Sequence, residues 1–427
     1  MTFESISPRA VESAYKAARD CYAQVGVDTD AALKALAGVA ISIHCWQGDD
    51  VRGFEESVEG GGGIMATGNY PGVATTGDEL RADMLKTFSL TPGVKRANIH
   101  AMYAETGGTQ VDRDALEPEH FTQWMAWSKE HDIAIDFNPT FFGHPKSVDG
   151  WSLSHRDDDI RAYWIRHGIL SRRITQALAE NQGGPSICNF WIHDGAKDSP
   201  ADRWGPRARL LAAYDEIFDP KHGIDTSKCI DVVESKLFGI GSEHYVVGSF
   251  EFYLGYALTR EPLICLDMGH FHPTETIDDK ISAVMQYQQQ LLLHCTRGIR
   301  WDSDHIVILN DDMRNLFLEL VRGKVLDQVY VALDFFDASV NRIGAWTIGT
   351  RAAQKAILYA LLDPTARVQE LEAEGDGAAK LALMEEMKTM PLGAVWDYYC
   401  LQQDVPVGPA WLNEMHAYEK DVLSKRA

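Results

Sequence analysis

The stretch Leu-Ile-Cys-Leu-Asp-Met-Gly-His (263–270) is an apolar, strand-like run that ends in an acid and a histidine. It is one of several built the same way. Ile-Asp-Val-Val-Glu-Ser-Lys (230–236) ends on Glu234 and Lys236, Leu-Leu-Leu-His (291–294) on His294, and Val-Tyr-Val-Ala-Leu-Asp (329–334) on Asp334, while Trp-Asp-Ser-Asp (301–304) carries Asp302 and Asp304. In a parallel α/β barrel, side chains at the carboxyl ends of the strands gather at one mouth. A mouth holding so many carboxylates repels itself unless cations sit among them. The pattern predicts an α/β fold, a (β/α)8 TIM barrel, around a two-cation centre.

Outward from that stretch, eight short apolar runs are expected as strands, near 39–44, 96–101, 132–138, 186–192, 229–235, 262–267, 290–295 and 328–334. Helical periodicity fills the intervals, as at 119–130 and 278–287. Strands alternating with helices form either an open doubly wound sheet or a closed barrel. Eight units and no phosphate-binding glycine fingerprint favour the barrel. Residues 8–36 read as one helix, within an N-terminal segment 1–38. The barrel is expected over 39–345, and a helical extension over 346–427 that either clasps a neighbouring subunit or caps the barrel's flank. The loop after the first strand carries Gly-Gly-Gly-Gly at 60–63 with Trp46, Phe54, Ile64 and Met65 around it. It reads as a lid over the mouth or as a pliant surface loop.

Composition narrows the partners. A net charge of -22 over 427 residues argues against nucleic acid and anionic membrane, and fits a neutral substrate and divalent cations, or simply solubility. Seven cysteines without a C-x-x-C motif suggest a reducing compartment. The first residues lack the build of a signal peptide and no apolar run is long enough to span a bilayer, so a cytoplasmic protein is expected.

Glu234, Asp267, His294 and Asp334 come from four neighbouring strand ends and are expected to surround one cation. His270, Asp302 and Asp304 are expected to hold a second, with Glu234 bridging. Oxygen-rich sites with one imidazole each suit Mn2+, Mg2+ or Co2+ better than a thiolate-loving metal. Taken singly, each residue has a duller reading: a strand-end aspartate caps loops, and a histidine in an apolar run is a satisfied core residue. Their coincidence at strand ends carries the metal reading. Lys236 either stabilises a developing alkoxide or merely offsets negative charge. His100, Tyr103, Asp136, Asn138, Trp191 and Asp194 are of the types that hold polyols. His272, before a proline, is expected to lie just behind the ligands.

Several motifs resemble those of bacterial L-rhamnose isomerases: Ser-Ile-His-Cys-Trp-Gln-Gly-Asp-Asp-Val-Arg-Gly-Phe-Glu (42–55), Glu-Ser-Lys-Leu-Phe-Gly-Ile-Gly (234–241), Asp-Met-Gly-His-Phe-His-Pro-Thr-Glu (267–275), Arg-Trp-Asp-Ser-Asp-His (300–305) and Leu-Asp-Phe-Phe-Asp-Ala-Ser-Val-Asn-Arg (333–342). The resemblance covers essentially the whole chain. It implies a homotetrameric barrel enzyme interconverting L-rhamnose and L-rhamnulose with two divalent cations per subunit. Manganese is typical, with Co2+, Mg2+ or Zn2+ accommodated at one site. It also implies catalytic-metal ligands at His270, Asp302 and Asp304, structural-metal ligands at Glu234, Asp267, His294 and Asp334, and sugar contacts from Lys236, His100 and Trp191. The expected chemistry is a metal-mediated 1,2-hydride shift, with Lys236, Asp302 and His270 as the catalytic set. An enediol route is the competing mechanism. Isomerisation of another aldose, such as L-lyxose or L-mannose, and a metal-dependent hydrolase on the same barrel are the alternative functions.

Overall fold

A computed structural model describes residues 2–48, 51–55, 68, 70–239, 241–300 and 303–426. The glycine-rich part of the loop after the first strand and Asp302 lie outside the described residues. Among the described residues ten strands form: β1 (Ile41–His44), β2 (Lys95–His100), β3 (Ala134–Asn138), β4 (Ser186–Phe190), β5 (Gly195–Ala196), β6 (Cys229–Glu234), β7 (Tyr245–Val246), β8 (Leu263–Asp267), β9 (Leu291–Cys295) and β10 (Val329–Leu333). Eight of them close into a parallel barrel in the order β1-β2-β3-β4-β6-β8-β9-β10, and β10 pairs back onto β1. The barrel strands coincide with the eight runs read from sequence. A parallel strand buried on both faces needs a near-continuous apolar run, which short β-branched stretches supply.

β5 and β7 were not expected. They pair antiparallel as a small ribbon above the mouth, Gly195 opposite Val246. Gly195 is required there, because a Cβ would lie 2.5 Å from the Tyr245 carbonyl oxygen.

The N-terminal segment is two helices, Pro8–Gln24 and Thr29–Ala37, rather than one. Gly26 turns the chain with φ of 81°, and Asp28 caps the second helix by accepting from the Asp30 and Ala31 amides. The helix Arg342–Leu361 follows β10 and runs through residue 345. Behind it come Thr365–Ala373, Gly377–Met387, Leu392–Gln402 and Trp411–Asp421. The two ends of the chain meet: Tyr15 stacks on Tyr398 with ring centroids 3.9 Å apart. Among the described residues no helix is long and apolar enough to cross a membrane.

Two cores follow from strand alternation. Ile187, Val232, Cys265, Leu292 and Ala332 point inward and plug the barrel, while the outward residues pack under the helices. Below the plug Asp136 accepts from Arg96 Nε at 2.6 Å, from the Ser42 hydroxyl at 2.7 Å and from the Ile187 amide at 2.8 Å. Asp136 is therefore a strut inside the barrel and not a polyol contact, since its acceptor sites are filled from within.

Candidate active site

Strand register brings the candidate metal-ligand side chains together. Asp267 at the end of β8 pairs directly with His294 on β9, and Glu234 on β6 pairs with Cys265. Asp334 follows β10. The side-chain ligand atoms of Glu234, Asp267, His294 and Asp334 all lie within 4.8 Å of one another. His294 Nδ1 is 3.3 Å from Glu234 Oε1, 3.4 Å from Asp267 Oδ2 and 3.1 Å from Asp334 Oδ2. A second group, Asp267, His270 and Asp304, also falls within 4.8 Å. Glu234 Oε1 lies 3.1 Å from His270 Nδ1, so Glu234 and Asp267 both span the two groups.

One oxygen of Glu234 and one of Asp267 are spoken for, and their other oxygens are not. Asn189 donates to Glu234 Oε2, and the Gly269 amide donates to Asp267 Oδ1 at 2.6 Å. Glu234 Oε1, Asp267 Oδ2, Asp334 Oδ1 and both ring nitrogens of His294 are buried without a hydrogen bond. Burying such atoms unsatisfied is costly, on the order of 1–3 kcal/mol each. Four converging donors of this kind fit a divalent cation, which would satisfy all of them at once. The electrostatics agree. Burial works to lower the His294 imidazole, but Cys265, Glu234, Asp267 and Asp334 carry it well above its ordinary value. Burial raises Asp334 to about 6 against the pull of His294. Burial also works to raise Glu234, yet His294 and His270 hold it below the usual carboxylate range. The acids demand positive charge at that point.

Asn189 and Cys265 were missed in the sequence reading, and both were within its reach. Each lies an even number of residues from an inward-pointing neighbour, Ile187 or Asp267, and so faces the barrel interior. Cys265 comes within 4.8 Å of Glu234 and His294. Gly269 matters by its size, because a Cβ there would lie 2.1 Å from Asp304 Oδ1.

Beside the ligand groups stands an aromatic wall. Trp46 packs edge-on to His100 at 5.0 Å, His100 to Phe142 at 5.7 Å, and Phe142 to Trp191 at 5.6 Å. Lys236 sits over the Trp191 ring at 5.7 Å and is buried. Tyr103 lies apart from this wall, under the loop after β1, with its ring edge-on to Phe54 at 5.2 Å. Asp194 accepts from the amides and hydroxyls of Ser152 and Ser154. It secures that loop and has no acceptor left for a sugar. His272 is not behind the ligands: it is exposed, with Nδ1 2.8 Å from the Thr274 hydroxyl, because the His-Pro turn carries it outward.

Behind His100 runs a second line of polar contacts. His100 Nδ1 is 3.0 Å from the Thr140 hydroxyl. The Thr140 amide donates to His167 Nε2 at 2.9 Å, and His167 Nδ1 is 3.0 Å from the Arg113 carbonyl. An Nε2 that accepts leaves Nδ1 as the donor, so His167 is neutral with its proton on Nδ1. Burial, with Arg113 nearby, lowers it from 6.5 to about 3. A depressed histidine contributes stability that is complete above 6.5 and is lost as pH falls toward 3, since the unfolded chain takes up the proton first. Between pH 6.5 and pH 5 this one residue should remove about 2 kcal/mol. Urea denaturation of His167→Gln should show a variant less stable than wild type by about 1–3 kcal/mol at pH 7.5, with the gap closing by pH 5. A gap independent of pH would show that His167 is not the titrating group.

A closed parallel barrel whose mouth gathers two overlapping sets of carboxylates and imidazoles, walled by aromatic rings, defines a (β/α)8 protein with candidate cation sites at its mouth. Sequence comparison is more specific. The sequence profile of L-rhamnose isomerase (RhaA) matches residues 9–426. The L-rhamnose isomerase of Rhodopirellula baltica (strain DSM 10527 / NCIMB 13988 / SH1) is 53% identical over 418 residues, covering 98% of this chain and 97% of the relative. That of Escherichia coli O17:K52:H18 (strain UMN026 / ExPEC) is 54% identical over 418 residues, covering 97% and 99%. Among solved structures, L-ribulose 3-epimerase superposes with a TM-score of 0.46 at 12% identity, over 78% of this chain and 97% of the other. The chain belongs to the L-rhamnose isomerase family.

Proposed function

We propose that this protein is an aldose–ketose isomerase that interconverts L-rhamnose and L-rhamnulose. Identity of 53–54% to L-rhamnose isomerases over nearly the whole chain carries that reading, and the converging unsatisfied donors at the mouth support it. Glu234, Asp267, His294 and Asp334 would hold one divalent cation; His270 and Asp304, with Asp302, would hold the other. This oxygen-and-imidazole donor set suits Mn2+, Mg2+ or Co2+ better than a thiolate-loving metal, and manganese is the cation the family resemblance implies, with Co2+, Mg2+ or Zn2+ accommodated at one position. When bound, such cations supply Lewis acidity and a template for vicinal sugar oxygens.

The chain's own residues do the rest. Lys236, buried over Trp191, donates toward the oxygen that gains charge as the carbonyl is polarised. His100 is kept neutral, lowered to about 3 by burial and by Arg113, so it holds a hydroxyl by hydrogen bonding without adding charge. Trp191 and Phe142 offer an apolar face to the sugar's C6 methyl and exclude water. A hydride passing from C2 to C1, with the O2 proton moving to O1, needs no free base. Among the described residues the mouth carboxylates Glu234, Asp267, Asp304 and Asp334 fall in the ligand groups. Asp194 is filled by its serines. That distribution supports the internal transfer over an enediol.

The same reading carries a cytoplasmic homotetramer. Six free, buried cysteines suit a reducing compartment, and Trp204, 89% exposed, and Tyr287, 77% exposed, suit subunit contacts.

Stripping the protein with EDTA and assaying L-rhamnose in deuterated water with Mn2+, Co2+, Mg2+ or no metal tests these points together. We expect activity to vanish, to return best with Mn2+, and to leave C2 hydrogen unexchanged. Full activity in metal-free protein would sink the ligand assignment, and solvent deuterium entering at the rate of turnover would sink the internal transfer. No conversion with any metal would turn attention to other aldoses and then to hydrolase substrates.

A further inference from the structure

The end of the helical extension reaches the mouth. Helix Trp411–Asp421 and the turn Leu423–Lys425 lie against the segment that returns from the β1 loop to the helix Gly77–Ser89. Leu423 is buried over Gly72, where φ is 84° and a Cβ would lie 2.6 Å from the leucine Cβ. Tyr70 hydrogen-bonds Glu419 through its hydroxyl. Arg426 donates to both oxygens of Asp83, at 2.7 and 2.8 Å, and to the Gly72 carbonyl at 3.1 Å. Asp83 is fully buried. It also accepts from Tyr418 at 2.7 Å and from Gln47 Nε2 at 2.6 Å. Gln47 Oε1 in turn accepts from the Ala74 amide at 2.8 Å. Gln47 therefore ties the outgoing arm of the loop to the returning arm, and its neighbour Trp46 packs on His44, His100 and Phe336.

We propose that Arg426 is a positioning residue for sugar binding: through Asp83 and Gln47 it holds the stem of the β1 loop, and with it the Trp46 side of the mouth, in the arrangement that receives substrate. The physical reason lies in Asp83. A buried carboxylate needs a charged partner, and without the guanidinium Asp83 keeps, among the described residues, only the neutral donors Gln47 and Tyr418. Water must then enter, and the Gln47 amide competes for it instead of bridging Asp83 and Ala74. The extension acts as a strap within its own subunit. Arg426 touches no reacting atom, so its effect should fall on binding more than on the chemical step.

The experiment uses the full-length, metal-loaded protein with Arg426→Ala and Arg426→Lys, and it rests on L-rhamnose as substrate for its kinetic arm. Steady-state kinetics are measured beside amide hydrogen exchange at Ala74 and at Ile43 in the barrel. We expect Arg426→Ala to raise KM about tenfold with kcat within about twofold. Exchange at Ala74 should quicken about tenfold or more while Ile43 is unchanged. Lysine keeps the charge and loses the two-pronged geometry, so it should recover much of both effects. Unchanged KM, or exchange rising equally at Ala74 and Ile43, would overturn the proposal. A wild-type protein inactive on L-rhamnose would sink the proposed function alone, because the comparison of Ala74 with Ile43 reads the strap without substrate.

Discussion

Glu234→Gln is expected to lower kcat/KM about a thousandfold, roughly 4 kcal/mol of transition-state stabilisation. Glu234 reaches both ligand groups through one oxygen: Oε1 lies 3.3 Å from His294 Nδ1 and 3.1 Å from His270 Nδ1. The other oxygen is held by Asn189. In the variant the amide oxygen keeps the Asn189 bond, which turns an NH2 toward the point where the carboxylate would meet the proposed cations. One negative charge is lost and two donors oppose a positive ion, while side-chain shape is conserved. The fold should therefore survive. A cation present at about a thousand times its Kd adds roughly 4 kcal/mol to stability, and a hundredfold weakening leaves about 1.4 kcal/mol. The rise in Tm on adding Mn2+ should shrink accordingly. A variant that keeps the full metal-induced rise and near-normal turnover would remove Glu234 from the ligand set.

Lys236→Met is the second large effect, and it should separate from the first. Methionine preserves most of the apolar stem and removes the ammonium that lies over Trp191. Deleting one preorganised donor at a developing charge costs about 100- to 1,000-fold in kcat. The metal-induced rise in Tm should be close to that of wild type, since Lys236 is not a ligand. Turnover lost together with metal binding would instead make Lys236 a charge-balancing residue, and turnover unaffected would remove it from the chemistry.

These two residues illustrate what was legible. Glu234 and Lys236 stand two apart at the end of an apolar run, and period two alone puts them on one side of a strand. The eight barrel strands were legible for the same reason: a strand buried on both faces must be apolar throughout, and a barrel mouth must collect its polar ends. Asp136 faces the barrel interior as Glu234 does, but it lies in the middle of β3 and not at the end of a strand, and Arg96, forty residues earlier in the chain, fills its oxygens. His272 was expected just behind the ligands because it stands two residues from His270, but the turn at Pro273 carries it to the surface.

The sequence by itself determined the barrel, the order of its strands and the gathering of acids and histidines at their carboxyl ends, because periodicity and residue type are local properties. Only the tertiary structure decided which acids remain available to a cation. Asp136 and Asp194 are consumed by Arg96 and by Ser152 and Ser154, whereas Glu234, Asp267 and Asp334 keep an unsatisfied oxygen around His294. It also decided that Arg426 reaches Asp83, 343 positions away in the chain. Such pairings depend on which distant groups the closed barrel and its helical extension bring within 3 Å, and no spacing along the chain encodes that distance.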